Sequence, residues 1–334
     1  MKKIKVLAAL LFAGVLAMGL VGCGGGSSSS SDDKAADSGD KTKLVFYTGS
    51  STGTYYGYGN TLAQYATNGD YGLEVTALTS DGSKANIQAL QDGDANLAFC
   101  QSDVMDYAYN GTNIFEGDAF QDFSVVADMY QEQVQIVTCN PDIKSVEDLR
   151  GKKVSVGAAN SGVYFNAVDI LAAYDMTMDD IDPNYQNFDD SANSLKDETI
   201  DAAFIVAGAP TTAITDLSAS KEAYLISLDE EHIEKLLADN PFYKAATIPA
   251  ETYGNADPIE TVSVGAVIIV SNDVPEEAVY ELTKSFFDGK EDNAGANAKY
   301  DELNLEEAAS VKGIPYSPGA AKYYEEQGVD VAAE

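Results

Sequence analysis

Two stretches of the chain could do chemistry without any charged side chain. FYTGSSTGTYYGYGNTLAQYA, from Phe46, and VSVGAANSGVYFNAVDILAAY, from Val154, each read as a strand, a Gly/Ser/Thr loop and then a helix. The first N–H groups of a helix have no intrahelical partner, so a loop of this kind offers backbone donors and hydroxyls to a carboxylate or phosphate. Two such ends facing one cleft would make an anion site between two α/β lobes. Each is equally a capped βα connection with no ligand, and the pair leaves both readings open.

The residues that are scarce narrow the chemistry further. His232 is the only histidine and Arg150 the only arginine, which removes most His-based catalysis and most His-ligated metal sites. His232 lies in DEEHIEKLL, a charged amphipathic pattern that reads as a solvated helix. GSSTG (Gly49–Gly53) has Gly-x-Ser-x-Gly spacing, but with His232 read as a solvated helix residue no histidine is left to serve as its base, and it lacks the Gly-Lys-[Ser/Thr] of a phosphate loop. The acidic run Asp175–Asp190 lacks calcium-loop spacing and reads as a solvated face. No catalytic residue, metal ligand or cofactor is therefore expected. With 20 Lys+Arg against 54 Asp+Glu and a net charge of −34, the chain has no basic face for nucleic acid and no polybasic patch for an anionic membrane.

The N-terminus is a targeting segment. Lys2, Lys3 and Lys5 precede the apolar run VLAALLFAGVLAMGLV, which is too short and too soon followed by polar residues for an ordinary membrane span. It ends in Leu-Val-Gly-Cys23, a string that resembles a bacterial lipobox. Residues 1–22 are thus expected to be a lipoprotein signal peptide. Cys23 would be the lipidated residue, and 23–42, rich in Gly, Ser and then charge, a flexible tether. Cleavage removes three lysines and no acid, so the mature chain is more acidic still. Cys100 and Cys139 remain; an exported chain could pair them, or they could be small buried thiols.

The body alternates strands and helices. Leu44–Thr48, Leu73–Thr79 and Leu97–Cys100 read as strands, separated by helical spacing at Leu62, Tyr65 and Ala66 and again at Ile87 and Leu90. The pattern restarts with Val134–Cys139. Ser145-Val-Glu-Asp148 has capping-box spacing, then come Val154–Gly157, a helix from about Gly162 to Tyr174, and the strand Ala202–Val206. Thr261–Val270 is a long apolar strand and Glu276–Phe287 an amphipathic helix. This order predicts an α/β fold with mostly parallel sheets covered by helices.

Several motifs in fixed order resemble the solute receptors of TRAP transporters, in the TAXI branch. They are GSSTGTYY (Gly49–Tyr56), Gly82-Ser83 with Asn86 and Leu90, QDGDANLAFCQSDVMDYAYNG (Gln91–Gly111), SVEDLRGKKVSVG (Ser145–Gly157) with Ser161-Gly162, IDAAFIVAGAP (Ile200–Pro210), ATIPAETY (Ala246–Tyr253) and IPYSPGAAKYY (Ile314–Tyr324). The resemblance implies a periplasmic-binding-protein-like fold of type II topology. Lobe 1 would be residues 43–137 plus 263–334, lobe 2 residues 138–262, with Ser124–Cys139 and Thr261–Val270 crossing between them. It further implies capture of a small carboxylate or glutamate-like amino acid and delivery to TRAP membrane subunits by a monomeric receptor.

The ligand residues expected on this basis are Ser51, Thr52, Gly53, Thr54 and Tyr55 from the first loop and Gln101 and Ser102 at a strand end. Asn160, Ser161, Gly162 and Val163 would come from the second lobe, and Ala207, Gly208 and Pro210 would form a wall. Tyr55 and Tyr56 are equally core residues. Arg150, in the DLRGKK turn, is expected on the surface, leaving any carboxylate to backbone and hydroxyl donors. A receptor of an ABC-type importer, a non-transport sensor or adhesin lipoprotein and a secreted enzyme are the alternatives.

Overall fold

A computed structural model describes residues 41–333 other than 294 and 296. The signal peptide, Cys23 and nearly all of the tether lie outside the described residues.

The first half is built on β1 (Thr42–Tyr47), β2 (Leu73–Leu78) and β3 (Leu97–Gln101), joined through α1 (Thr54–Asn68) and α2 (Ser83–Gln91). β1 pairs parallel with both β2 and β3, as right-handed βαβ crossovers dictate. β3 is buried at all five positions and is central, whereas β2 alternates buried and exposed at its start, as suits an edge. The helix α1 turns Tyr55, Tyr58, Leu62, Ala63 and Ala66 inward at three- and four-residue spacing. Gly59 sits where a Cβ would come within 2.7 Å of Thr48 Cγ2, so glycine there lets α1 settle onto β1.

The second half repeats the plan. It comprises β5 (Lys153–Ser155), α4 (Val163–Ala173), β6 (Asp182–Asn184), α5 (Phe188–Lys196) and β7 (Ala202–Ala207). β5 again lies between two parallel neighbours, β6 and β7. Helix α3 (Ser102–Asn110) follows β3 as α6 (Thr212–Ser220) follows β7. The expected capping box at Ser145–Asp148 forms only in part. Asp148 accepts from the N–H groups of Lys144 and Ser145, but the helix it opens is a single turn, Glu147–Leu149, cut off by the turn at Gly151.

Two long strands join the halves: β4 (Phe123–Thr138) and β10 (Ile259–Ser271), with β8 (Tyr224–Ile226) and β9 (Lys244–Ile248) added at their margins. At roughly 3.3 Å per residue a strand as long as β4 can run through both halves. Its first part pairs with β10 and its last six residues pair antiparallel with β7. The C-terminal part of β10 pairs antiparallel with β3. The strand order β2-β1-β3-β10-β4-β7-β5-β6 therefore reads alike from either end: three parallel strands, one antiparallel strand borrowed from the crossing pair, then the other member of that pair. This is the α/β, periplasmic-binding-protein-like architecture expected of the sequence. Register shifts interrupt the β4–β10 ladder next to Ala266 and Ile268, within the stretch of β10 that pairs with β3.

Separate apolar cores accompany the two halves. One gathers Leu44, Phe46, Tyr58, Phe99 and Ile268 with Phe286, from the helix α8 (Glu276–Asp288), and Tyr324, from the C-terminal helix Pro318–Glu326. The others gather Val134, Val154, Ile170 and Phe204, and Val137, Ile205 and Leu217. Cys100 is buried and Cys139 half-buried, and both are free thiols. His232 is less solvated than its charged neighbourhood suggested. It lies on α7 (Glu230–Asp239) and stacks on Tyr174 at 3.6 Å between ring centroids, with Nδ1 against Asp229.

Candidate functional site

The connections that follow β1, β2, β3, β5 and β6 leave their strands on the side where the halves meet. Five helices begin there: α1 at Gly53, α2 at Gly82, α3 at Gln101, α4 at Gly162 and α5 at Asn187. Together with Ser50, Ser83, Ser161, Tyr55, Phe188 and Glu132 these starts line one cavity. The space open to the centre of a water-sized sphere is about 40 Å³, several times the roughly 10–15 Å³ that one water needs. Four of the five helix starts have no side-chain cap; only Asn187 accepts from its own helix, at Asp190 N–H. The positive ends of their dipoles face the cavity, although some first-turn donors are already taken: Ala85 N–H by the Asn160 carbonyl, Val104 N–H by Asp103 Oδ1 and Phe165 N–H by the Gly162 carbonyl.

Local sequence explains how each wall is held. Asn86 Nδ2 donates to the carbonyls of Thr48 and Phe99, both at 2.7 Å, and so ties the ends of β1 and β3 together. Ser83 Oγ accepts from Gln101 N–H at 3.1 Å, fixing the turn into α3. Tyr55 stacks flat on Phe99 at 4.7 Å. Gly162 permits a close approach, because a Cβ there would lie 1.3 Å from Gln101 Oε1.

Polar contacts cross between the halves around the cavity. Ser50 and Ser51 hydroxyls both donate to Asp189 Oδ2 at 2.9 Å, Thr54 Oγ1 donates to the Gly208 carbonyl at 2.8 Å, and Gln101 Nε2 to Asn166 Oδ1 at 2.7 Å. Ala85 N–H donates to the Asn160 carbonyl at 3.1 Å, and Ala213 N–H to that of Thr52 at 3.2 Å. Lys299, 4% exposed, donates to the Ala209 carbonyl at 3.0 Å and pairs with Glu302, its ammonium 5.4 Å from the Tyr130 ring centroid.

Of the residues expected from sequence, Gly53, Thr54, Tyr55, Gln101, Ser161, Gly162, Val163 and Ala207 come together on the cavity wall. Ser51, Thr52, Asn160 and Gly208 do not line it; they make the cross-contacts just described. Ser102 Oγ instead accepts from Gly265 N–H at 3.0 Å, at the crossing strands, and Pro210 follows a cis peptide bond behind Ala209. Arg150 is on the surface, paired with Asp180 at 2.6 Å.

The sequence reading missed Ser50, Ser80, Asp81, Asn187, Phe188 and above all Glu132. Glu132 is 2% exposed and sits on β4 at the crossing, where its Oε1 accepts from the Tyr130 hydroxyl at 3.3 Å. Burial pushes its carboxyl up to about 8, against the opposing pull of the neighbouring Tyr55 and Tyr130 hydroxyls and of Lys299. Burial thus favours its uncharged form near neutral pH, the form that least opposes an anion bound beside it. Among the described residues no group of three or more His, Cys, Asp or Glu is placed to hold a metal ion, and no helix is long and apolar enough to cross a membrane.

Comparison with known proteins places this geometry. A protein from Bordetella bronchiseptica RB50 superposes with a TM-score of 0.52 at 17% identity, over 86% of this chain and 89% of its own; the likeness is one of fold. The alkanesulfonate-binding protein SsuA from Xanthomonas axonopodis pv. citri, bound to MOPS, has a TM-score of 0.49 at 15% identity, over 87% and 92% of the two chains. The GluR0 ligand-binding core from Nostoc punctiforme, in complex with L-glutamate, has a TM-score of 0.46 at 16% identity, over 78% and 98%. The model of the NMT1-like family matches residues 46–328, nearly the whole of the described chain, and the protein belongs to that family.

Proposed function

We propose that this chain is an extracytoplasmic solute receptor that closes two lobes, 43–137 with 263–334 and 138–262, around a small carboxylate or glutamate-like amino acid. In this reading it delivers the solute to the membrane subunits of a TAXI-type TRAP transporter, and lipid on Cys23 tethers it to the membrane. The observation that carries the reading is the convergence of five helix starts, four without a side-chain cap, on one cavity sealed by polar contacts from both sides. Such a cavity holds a carboxylate through backbone N–H groups and hydroxyls, with no guanidinium. Closure is a hinge motion driven by contacts that the solute makes in the closed state alone.

Thermal unfolding of the mature chain tests the reading. The protein is first unfolded and refolded to release co-purified solute, then titrated with a panel of carboxylates and amino acids. A solute at about 100 times its dissociation constant adds about 2.7 kcal/mol, which raises the midpoint by several degrees. A panel that leaves the midpoint unmoved would remove the proposed solute class.

A further inference from the structure

Gln101 lines the cavity and is 2% exposed, yet only one end of its amide is satisfied. Its Nε2 donates to Asn166 Oδ1 at 2.7 Å, while Oε1 is buried against Gly162 with no donor. The direction of this amide is set from behind the cavity. Tyr243 donates its hydroxyl proton to Asp169 Oδ2 at 3.0 Å. The Tyr243 oxygen must then receive a proton, and Asn166 Nδ2 supplies it at 2.8 Å. Asp103 Oδ2 lies 3.2 Å from the same nitrogen and, when ionised, accepts its second proton. With its NH₂ held by two acceptors, Asn166 turns its carbonyl to Gln101, which can answer only with its own NH₂. A flipped Gln101 would set carbonyl against carbonyl in a buried place, at a cost that buried polar groups rarely bear.

We propose that the Asp169–Tyr243–Asn166 chain is a polarity relay that fixes Gln101 with its carbonyl oxygen toward the bound solute, so that the solute must present a hydrogen-bond donor, an amino or hydroxyl group, at this point. The inference rests on the reading of the cavity as a solute site and goes beyond it by choosing among carboxylates. Gln101 makes the contact; Asn166, Tyr243 and Asp169 are positioning residues. A solute with an acceptor or a bare methylene at the same place would leave Gln101 Oε1 buried and unpaired.

The test is calorimetric titration of the refolded mature chain with three quartets of equal chain length. Each quartet contains the unsubstituted, 2-oxo, 2-hydroxy and 2-amino acid: propionate, pyruvate, lactate and alanine; succinate, oxaloacetate, malate and aspartate; glutarate, 2-oxoglutarate, 2-hydroxyglutarate and glutamate. Within any quartet that binds, the amino or hydroxy member is expected to bind at least about tenfold more tightly than the oxo and unsubstituted members. An oxo or unsubstituted member that binds as tightly overturns the inference and leaves the receptor reading intact. Absence of binding from all three quartets overturns the carboxylate reading and this inference with it. In Asn166→Leu the preference between hydroxy and oxo members should collapse to within about threefold. In Asn166→Asp, whose carboxylate still accepts from Gln101, the preference should survive even if both affinities fall. A uniform loss that leaves the preference intact in Asn166→Leu would show packing alone and overturn the relay; if that variant does not fold, the quartets on the native chain decide.

Discussion

Gly162 and Gln101 meet so closely across the two halves that a methyl group at position 162 would lie 1.3 Å from Gln101 Oε1 and 2.5 Å from its Cδ. The amide is not free to swing aside, because its nitrogen is committed to Asn166. An alanine at 162 must therefore either break that bond or hold the halves apart. Gly162→Ala is expected to weaken solute binding by at least about tenfold, the scale of one or two lost buried hydrogen bonds. The unfolding midpoint without solute should stay nearly unchanged, because an opened molecule relieves the clash. Calorimetry with scattering measurements on both proteins checks this, and an alanine variant with native affinity would show that the observed contact is not the one made around the solute.

A second contact across the halves is weaker and more exposed. Ser50 and Ser51 both reach Asp189 Oδ2 at 2.9 Å, at the rim of the cavity. Each hydrogen bond of this kind is worth about 0.5–1.5 kcal/mol net, and partial exposure favours the low end. Asp189→Ala should therefore weaken solute binding by about five- to tenfold, chiefly through faster release. Asp189→Asn, which keeps an accepting oxygen but loses the negative charge that strengthens both bonds, should fall between the two. Stopped-flow release rates measure this directly; equal rates in all three proteins would place Asp189 outside the closing contact.

The parts of this site that could be read in the sequence are those carried by local pattern. GSSTGTYY and GAANSGVY announce strand-to-helix turns, and both prove to open helices at the cavity. Gln101 is marked by its place at the end of the apolar run LAFC. Glu132 falls in step with Tyr130, Val134 and Ile136 in YQEQVQIV, so the alternation does place it on the inward face; what no local pattern shows is that this face reaches the cavity, which depends on where β4 crosses between the halves beside β10. Asn187 and Phe188 lie inside the acidic run Asp175–Asp190, which reads as a solvated surface. The cross-contacts of Ser51, Thr52, Asn160 and Gly208 depend on how the halves meet, a relationship that no local periodicity encodes.

Arg150 provides a contrast. Its guanidinium pairs with Asp180 at 2.6 Å and donates to the Asp175 carbonyl at 3.1 Å, away from the cavity wall. Half-exposed ion pairs of this type contribute about 0–1 kcal/mol. Arg150→Ala is expected to bind solute with native affinity and to lower unfolding stability by no more than about 1 kcal/mol. Titration and urea unfolding of the variant test both parts. Loss of binding would mean that a guanidinium, rather than backbone and hydroxyl donors, holds the anionic end.

Three buried carboxyls give the molecule a pH dependence opposite to that of a protein held by surface ion pairs. Burial raises Glu132 from 4.5 to about 8, and raises Asp103 and Asp128 from 3.8 to about 7. Between the ordinary and the raised values the folded chain holds protons that the unfolded chain has released. The stabilising contribution of each group is therefore complete at about pH 4 and is lost as pH climbs toward its folded value, by at most about 1.4 kcal/mol per pH unit per group. The carboxylates held low by hydrogen bonds, Asp148, Asp180 and Glu198, act in the other direction, but only below the ordinary carboxylate range and thus outside this window. Solute-free stability measured by urea unfolding should decline steadily from pH 5 to pH 8. Glu132→Gln, which keeps the shape and cannot titrate, should flatten that decline by the share of one proton and leave the part due to Asp103 and Asp128. A native profile that is level or rising over this range, or an unchanged slope in Glu132→Gln, would mean that Glu132 stays ionised in the folded protein and carries its negative charge into the cavity.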